Sequence, residues 1–246
     1  MIILGIDTSS DICSVGLSQK KNFLGEINIK LKRRHSERLL PIIKNLLSET
    51  GLVMQEIDGV AVTDGPGSFT GLRIGLSTVQ AFKKALEIPV YSVSTLEYMA
   101  YSIAQHYENS ILIPTMDARN KRVYTAVFDR EKDNSDIKRI EEDKAVEVKK
   151  LLNNIEKYNN RRKIIFGSGT DQYFKMMQKA NLDNTTLLYK TRNFGGYNLA
   201  TLGYKYIKQG ENTDYKDLTP TYLKKPQARI NWEEKYLQGD KNADKS

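Results

Sequence analysis

The chain of 246 residues contains one cysteine and two histidines. A single cysteine excludes an internal disulfide and suits a reducing cytosol. Cys13 falls in an expected strand, where a small buried apolar role is its ordinary one. No apolar run approaches the ~18 residues of a membrane span, and no basic segment followed by a long apolar one opens the chain. Neither a membrane helix nor a secretory signal is therefore expected, and the expected location is cytoplasmic. The two histidines, His35 and His106, lie far apart, and H-E-x-x-H is absent, so a histidine-based metal site and metallopeptidase-like chemistry are disfavoured. RNP-type aromatic patterns and zinc-knuckle spacings are missing as well. A net charge of +8 permits contact with nucleic acid without demanding it. The basic residues, spread through 30–34, 161–163, 190–192 and Lys224-Lys225, read as lysine-rich solvated surface.

What is present centres on one stretch, Val62-Thr63-Asp64-Gly65-Pro66-Gly67-Ser68-Phe69-Thr70-Gly71-Leu72-Arg73-Ile74-Gly75. Residues 57–63 are β-branched and apolar enough for a short buried strand. Asp64-Gly65-Pro66-Gly67 is turn chemistry, and Ser68 or Thr70 can cap a helix running to about Leu86. A phosphate-holding Walker loop needs Lys-Ser/Thr after its last glycine, but Gly71 is followed by Leu72-Arg73, and no G-x-G-x-x-G follows the strand. Two readings stay open: an anion site at a helix N-terminus, and a tight turn that seats a helix.

On that helix Leu72, Leu76, Val79 and Leu86 fall on one side, and Ile74, Ala81, Phe82 and Ala85 on the other. Gly71 and Gly75 lie between them. Apolar or small residues cover roughly 200° of the circumference, about twice what one sheet contact needs. Gly71 and Gly75, four apart, allow a neighbouring backbone close approach, by analogy with membrane helices. The preceding helix, His35 to Ser48, spreads Leu39, Leu40, Ile42, Ile43, Leu46 and Leu47 over roughly 160°. Its Pro41 implies a later start or a kinked first turn. Both helices are expected to pack on two sides, against a partner or beneath another element of the same chain.

Three strands (2–6, 12–18 and 23–31) precede these helices. Strand 88–93 and a helix from Leu96 to about Tyr107, opened by Ser94 or Thr95, follow. Asn109-Ser110 reads as a hinge. The second half holds a hairpin (111–116 and 122–128), a charged loop or edge strand over 130–144, a helix over 146–155, a strand from Lys163, a helix to about Lys179 and a helix over 193–209. Asp117 and Arg119 read as a turn-stabilising ion pair, with a ligand role as the alternative. The expected organisation is one lobe over 1–108, a second over 109–225, and a polar, frayed tail over 226–246.

The run GPGSFTGLRIG, with GIDTS at the start, HSERLLP before it, VSTLE after it, DAR at 117–119 and TPTYLKKP near Thr219, resembles the TsaB (YeaZ) family. These are bacterial subunits of the machinery that makes N6-threonylcarbamoyladenosine in tRNA. The strand and helix order resembles the actin/Hsp70/sugar-kinase ATPase fold. Together they imply an α/β, two-lobed ASKHA fold with a degenerate nucleotide site. In that fold an aspartate on the first strand helps hold hydrated magnesium; Asp7 keeps it, while Thr8-Ser9-Ser10 lacks the glycine that would let a phosphate approach. Asp7 and Thr8 read equally as turn formers. Gly167 and Gly169 read as the remnant of an adenosine seat or as a plain strand-to-helix turn.

The resemblance further implies a non-catalytic scaffold or dimerisation subunit. It would bind TsaD in the complex that modifies position 37 of tRNA, through Leu39, Leu40, Ile43, Leu46, Gly71, Leu72, Gly75, Leu76 and Val79. TsaE would engage through the complex, tRNA would be met indirectly, no membrane is involved, and the chain alone would form a homodimer. TsaD carries H-x-x-x-H on the equivalent helix; here His35 is followed at the partner position by Leu39, so no metal and no catalytic residue is expected. No cofactor is expected to bind tightly, while a weak ATP or ADP contact within the complex stays open. The competing reading is an ATP-dependent phosphotransferase or ATPase of the same fold.

Overall fold

The computed structural model describes residues 1–31, 34–132, 136–191 and 194–223. The first five strands are β1 (Ile2–Asp7), β2 (Ile12–Gln19), β3 (Asn22–Lys30), β4 (Gly59–Gly65) and β5 (Val90–Ser94). They form one sheet in the order β3-β2-β1-β4-β5. The first three are antiparallel neighbours, and β4 and β5 join in parallel. Parallel joins need crossovers, which are supplied by α1 (His35–Glu49) and α2 (Phe69–Leu86).

The second sheet repeats the plan. Strands β6 (Ser110–Asp117), β7 (Arg122–Arg130), β8 (Lys138–Glu147), β9 (Arg162–Phe166) and β10 (Thr185–Leu188) run in the order β10-β9-β6-β7-β8. The crossovers are α4 (Val148–Ile155) and α5 (Ser168–Lys179), while α3 (Thr95–Ala104) and α6 (Gly196–Lys208) follow the last strand of each half.

Strand alternation sorts side chains between two faces of each sheet. In the first, Leu4, Ile6, Val15, Leu17, Val60 and Val62 bury against Leu39, Ile42, Ile43 and Leu46 of α1 and against Leu76 and Val79 of α2. The alternate residues Ile3 and Ala61 meet Leu199, Ala200 and Leu202 of α6. Helices α1 and α2 thus cover one face and α6 covers the other. In the second sheet α3 packs on Leu112, Ala126 and Phe128, and α4 and α5 pack on Ile111, Ile113 and Val127.

The packing corrects the division at residues 108/109. Helix α6 follows the second sheet in sequence but packs on the first, whereas α3 is shared, with Leu96, Met99 and Ala100 in the core of the second sheet and Tyr98 in that of the first. The segment after α6 also returns to the first sheet: Thr213 donates its N–H to the Val90 carbonyl at 2.7 Å, and Thr221 donates to that of Asp64 at 2.8 Å. The tail, residues 226–246, and the Lys224-Lys225 pair lie outside the described residues.

Smaller differences have local causes. Helix α1 runs unbroken from His35 through Pro41, which sits on its exposed side. Helix α6 begins at Gly196, after Gly195 with φ of 74°; Asn193 of the expected helix is outside the described residues. Asp117 accepts from the backbone N–H of Arg119 at 2.8 Å and from the Tyr173 hydroxyl at 3.0 Å. The Asp117–Arg119 contact is thus a backbone turn, not an ion pair. Lys163 is fully buried with its ammonium on Asn159 Oδ1 at 2.8 Å, so it is not solvated surface.

Candidate functional site

The turn closing β1 is built around Asp7. Its Oδ1 accepts from the Ser9 N–H at 2.9 Å and from the Thr63 hydroxyl at 2.8 Å. Asp7 is 6% exposed. Burial raises its pKa from the ordinary value, opposed by the Ser9 and Thr63 hydrogen bonds and by His35. Thr8 donates its hydroxyl to the Gly71 carbonyl at 2.8 Å.

Three glycines spaced by four lay α2 and its approach loop directly on this turn. A Cβ on Gly67 would lie 2.5 Å from the Ser9 carbonyl, one on Gly71 would lie 2.0 Å from that of Thr8, and one on Gly75 would lie 2.4 Å from the Thr8 hydroxyl. Ser68 caps α2 through the Gly71 N–H, and its own N–H donates to the Ser9 carbonyl at 2.7 Å. Of the two open readings of the glycine-rich run, the geometry is that of a turn seating a helix.

Between the lobes lies a cleft lined by Asp7, Ser9, Ser10, Asp11, Thr95, Met99, Met116, Ser168 and Phe194, with a volume of about 60 Å³. Small-molecule and cofactor sites usually run from about 300 Å³ upward. Met99, Met116 and Phe194 line this cleft, and the residues present do not fit a nucleotide. Gly167, with φ of 100°, would put a Cβ 2.4 Å from the Thr115 carbonyl, and Gly169 would put one 2.8 Å from Val123. Thr115 also receives the Thr170 N–H at 2.8 Å. These glycines hold the start of α5 against β6, the strand-to-helix turn reading. Among the described residues no group of three or more His, Cys, Asp or Glu side chains gathers to hold a metal.

The expected interface residues divide sharply. Leu39, Ile43, Leu46, Leu72, Leu76 and Val79 are buried in the chain's own core, and Gly71 and Gly75 are spent on Thr8. Leu40 alone of the set stands out, 55% exposed. The wide apolar arcs are filled mainly from within: α1 and α2 lie side by side on one sheet face, so each helix has an intramolecular neighbour as well as the sheet.

What stays open is a broad apolar groove of about 970 Å³, with Leu40, Pro41, Ile43 and Leu47 of α1, Leu52, Val53 and Met54 after it, and Phe82 of α2. Leu52 and Val53 lie in the connection after α1 and Met54 opens a short 3₁₀ turn (Met54–Glu56), a contribution the helix arithmetic missed. The helix arithmetic places Phe82 on the side of α2 opposite Leu72 and Leu76 but does not include it in the expected interface. At the start of α2, Phe69 stacks on Tyr222 at 4.8 Å, and Arg73 lies 3.9 Å over the Phe69 ring with its Nε donating to the Tyr222 hydroxyl.

His35 is buried, and burial lowers its pKa against the charges of Asp7 and Asp11. Its Nε2 finds no hydrogen-bond partner among the described residues, and one turn on stands Leu39. Asp64 is pushed up to about 6, first by burial and then by the nearby carboxylates of Asp143 and Glu97, against a hydrogen bond from Ser92. Arg139 bridges Glu97 at 2.9 Å and also contacts Asp143, tying β8 to α3.

The family model described as TsaD, tRNA N6-adenosine threonylcarbamoyltransferase, matches residues 14–232. The chain is similar to the tRNA threonylcarbamoyladenosine biosynthesis protein TsaB of Bacillus subtilis, 29% identical over 94% of this chain and 98% of that one. To TsaB of Buchnera aphidicola from Acyrthosiphon pisum it is 38% identical over 53% of this chain, spanning 59% of that relative. Among solved structures, YeaZ from Pseudomonas aeruginosa superposes with a TM-score of 0.75 at 26% identity, covering 90% of this chain and 99% of that one. A ROK hexokinase from Thermus thermophilus, at 11% identity and a TM-score of 0.52 over 85% of this chain and 100% of its own, shares the fold. The two-lobed ASKHA architecture is thereby shown.

Proposed function

The chain belongs to the family described as TsaD, tRNA N6-adenosine threonylcarbamoyltransferase, within which its likeness is to TsaB (YeaZ), and from that premise we propose that it is a scaffold subunit of threonylcarbamoyladenosine biosynthesis in tRNA. It binds a TsaD-type catalytic subunit in the cytoplasm and performs no transfer itself. TsaE joins through the complex, and the modified tRNA is presented by the assembly. The observation that carries this reading is the apolar groove over Leu40, Pro41, Val53, Met54 and Phe82. Exposed apolar patches of this kind mark protein contacts. The contact face therefore moves from the buried leucines and glycines to the outer sides of the same two helices. Without TsaD the groove pairs with a second copy, since a self-complementary patch favours a two-fold dimer.

Leu39 supports the non-catalytic assignment, because it removes the second imidazole of an i, i+4 metal pair. The small interlobe cleft disfavours an independent phosphotransferase or ATPase. Any ATP or ADP contact would then have to be shared with the partner. The test is light scattering on a sizing column, on the chain alone and mixed with TsaD from the same cell. A heteromeric mass that Leu40→Glu abolishes supports the reading, and failure to associate overturns it.

A further inference from the structure

On the face of the first sheet opposite α1 and α2, α6 comes unusually close to the strands. A Cβ on Gly16 would lie 2.1 Å from the Tyr197 nitrogen, and one on Gly5 would lie 2.3 Å from the Gly196 carbonyl. This approach places Tyr197 beside the β2–β3 turn, with its hydroxyl donating to the Lys21 carbonyl at 2.5 Å. Phe23, 58% exposed, meets the same ring edge-on at 5.2 Å. Tyr197, Tyr204, Lys205 and Lys208 then recur along one side of α6, a row about 16 Å long at 1.5 Å per residue. Tyr101 of α3 faces them across a groove of about 690 Å³, within the usual range of ligand sites.

The chemistry of this groove differs from that of the apolar one. Its rings come with ammonium groups: Lys208 lies 5.9 Å over Tyr204, and Lys21 and Lys205 also line the groove. Asp136 takes Lys205 at 3.0 Å, leaving cationic excess at Lys21 and Lys208. Aromatic faces interleaved with lysines bind unpaired bases and the phosphates joining them, whereas a duplex hides its base faces. We propose that the α3–α6 groove is a direct binding site for single-stranded RNA. The site lies across the sheet from the proposed protein contact, so both can be occupied at once. It goes beyond the scaffold reading and does not require it.

The test is fluorescence anisotropy of a labelled 20-nucleotide single-stranded RNA with the full chain over a series of salt concentrations. The groove variant is Lys21→Glu/Lys208→Glu. The charge-matched control is Lys149→Glu/Lys150→Glu, at exposed positions on α4. The groove variant should raise Kd at least about tenfold and flatten the slope of log K against log salt by about 1.4, two phosphates at ~0.7 each. Tyr204→Leu should raise Kd about tenfold, the loss of one stacked base. The control should bind as wild type, duplex RNA of equal length should bind more weakly, and melting temperatures should confirm that all variants fold. The inference is overturned by an unchanged Kd in the groove variant, by an equal loss in the control, or by a duplex that binds as tightly. Equal displacement by polyglutamate would also overturn it, by showing a site for acidic protein.

Discussion

Thr8 donates its hydroxyl to the carbonyl of Gly71, 63 residues away, at 2.8 Å, and this contact fixes the first turn of the chain to the start of α2. The two glycines against Thr8 meet different atoms of it: Gly71 faces the carbonyl oxygen and Gly75 the hydroxyl. Gly75→Ala should therefore cost about 1–3 kcal/mol as an overpacking change, and Thr8→Ala should recover part of that loss by removing the opposing oxygen. Gly71→Ala should cost at least as much and gain nothing from Thr8→Ala, because its obstacle is backbone. Urea unfolding of the single and double variants measures both; equal rescue at the two positions would contradict the assignment.

Cys13 is fully buried in β2, and burial together with the Asp7 charge pushes its thiol up to about 12. Only the thiolate is nucleophilic. The native protein should therefore leave a thiol reagent such as DTNB unreacted at pH 8 over a period in which the urea-unfolded chain reacts fully. Rapid stoichiometric labelling of the folded chain would show that β2 opens.

Asp64 gives a signed pH dependence. Its folded pKa of about 6 lies above the ordinary 3.8, so between those values the folded state holds more protons than the unfolded one. Stability from this group therefore falls as pH rises from about 4 to 6 and is level above. Asp64→Asn should gain on the wild type across that window, by roughly 1–3 kcal/mol, with partial exposure favouring the lower end. Urea titrations at pH 4 and pH 7 provide the comparison; a constant difference between the two proteins would show Asp64 titrating normally.

Much of this architecture was legible in order along the chain. Strand alternation and turn residues marked β1, β2 and β3, and the glycine-rich run marked the β4–α2 junction with Ser68 or Thr70 as its cap, of which the structure uses Ser68. The GPGSFTGLRIG motif was legible as a motif but not as a surface. Sequence shows that Gly71 and Gly75 admit a close neighbour, but not whether that neighbour is a partner helix or the turn at Thr8. For the same reason a bulky substitution such as Gly75→Leu acts on the fold and does not isolate a partner contact. Amphipathic arithmetic measures how much of α1 and α2 must be covered. It does not count how many intramolecular neighbours cover it, and so it could not tell that Leu40 and the Phe82 side stay open while Leu39 and the Leu72 side are buried. The α3–α6 groove was invisible because Tyr101, Tyr197 and Lys21 come together only when α6 folds back onto the first sheet.

The central claim is that the outer sides of α1 and α2 bind TsaD. The most direct measurement is light scattering on a sizing column, with wild type, Leu40→Glu/Phe82→Glu and Lys149→Glu/Lys150→Glu each mixed with TsaD from the same cell. The account predicts a discrete heteromeric mass for the wild type and for the α4 variant. It predicts separate peaks for Leu40→Glu/Phe82→Glu, whose own melting temperature should match the wild type. A complex that forms undiminished with Leu40→Glu/Phe82→Glu would contradict it and place the contact elsewhere on the molecule.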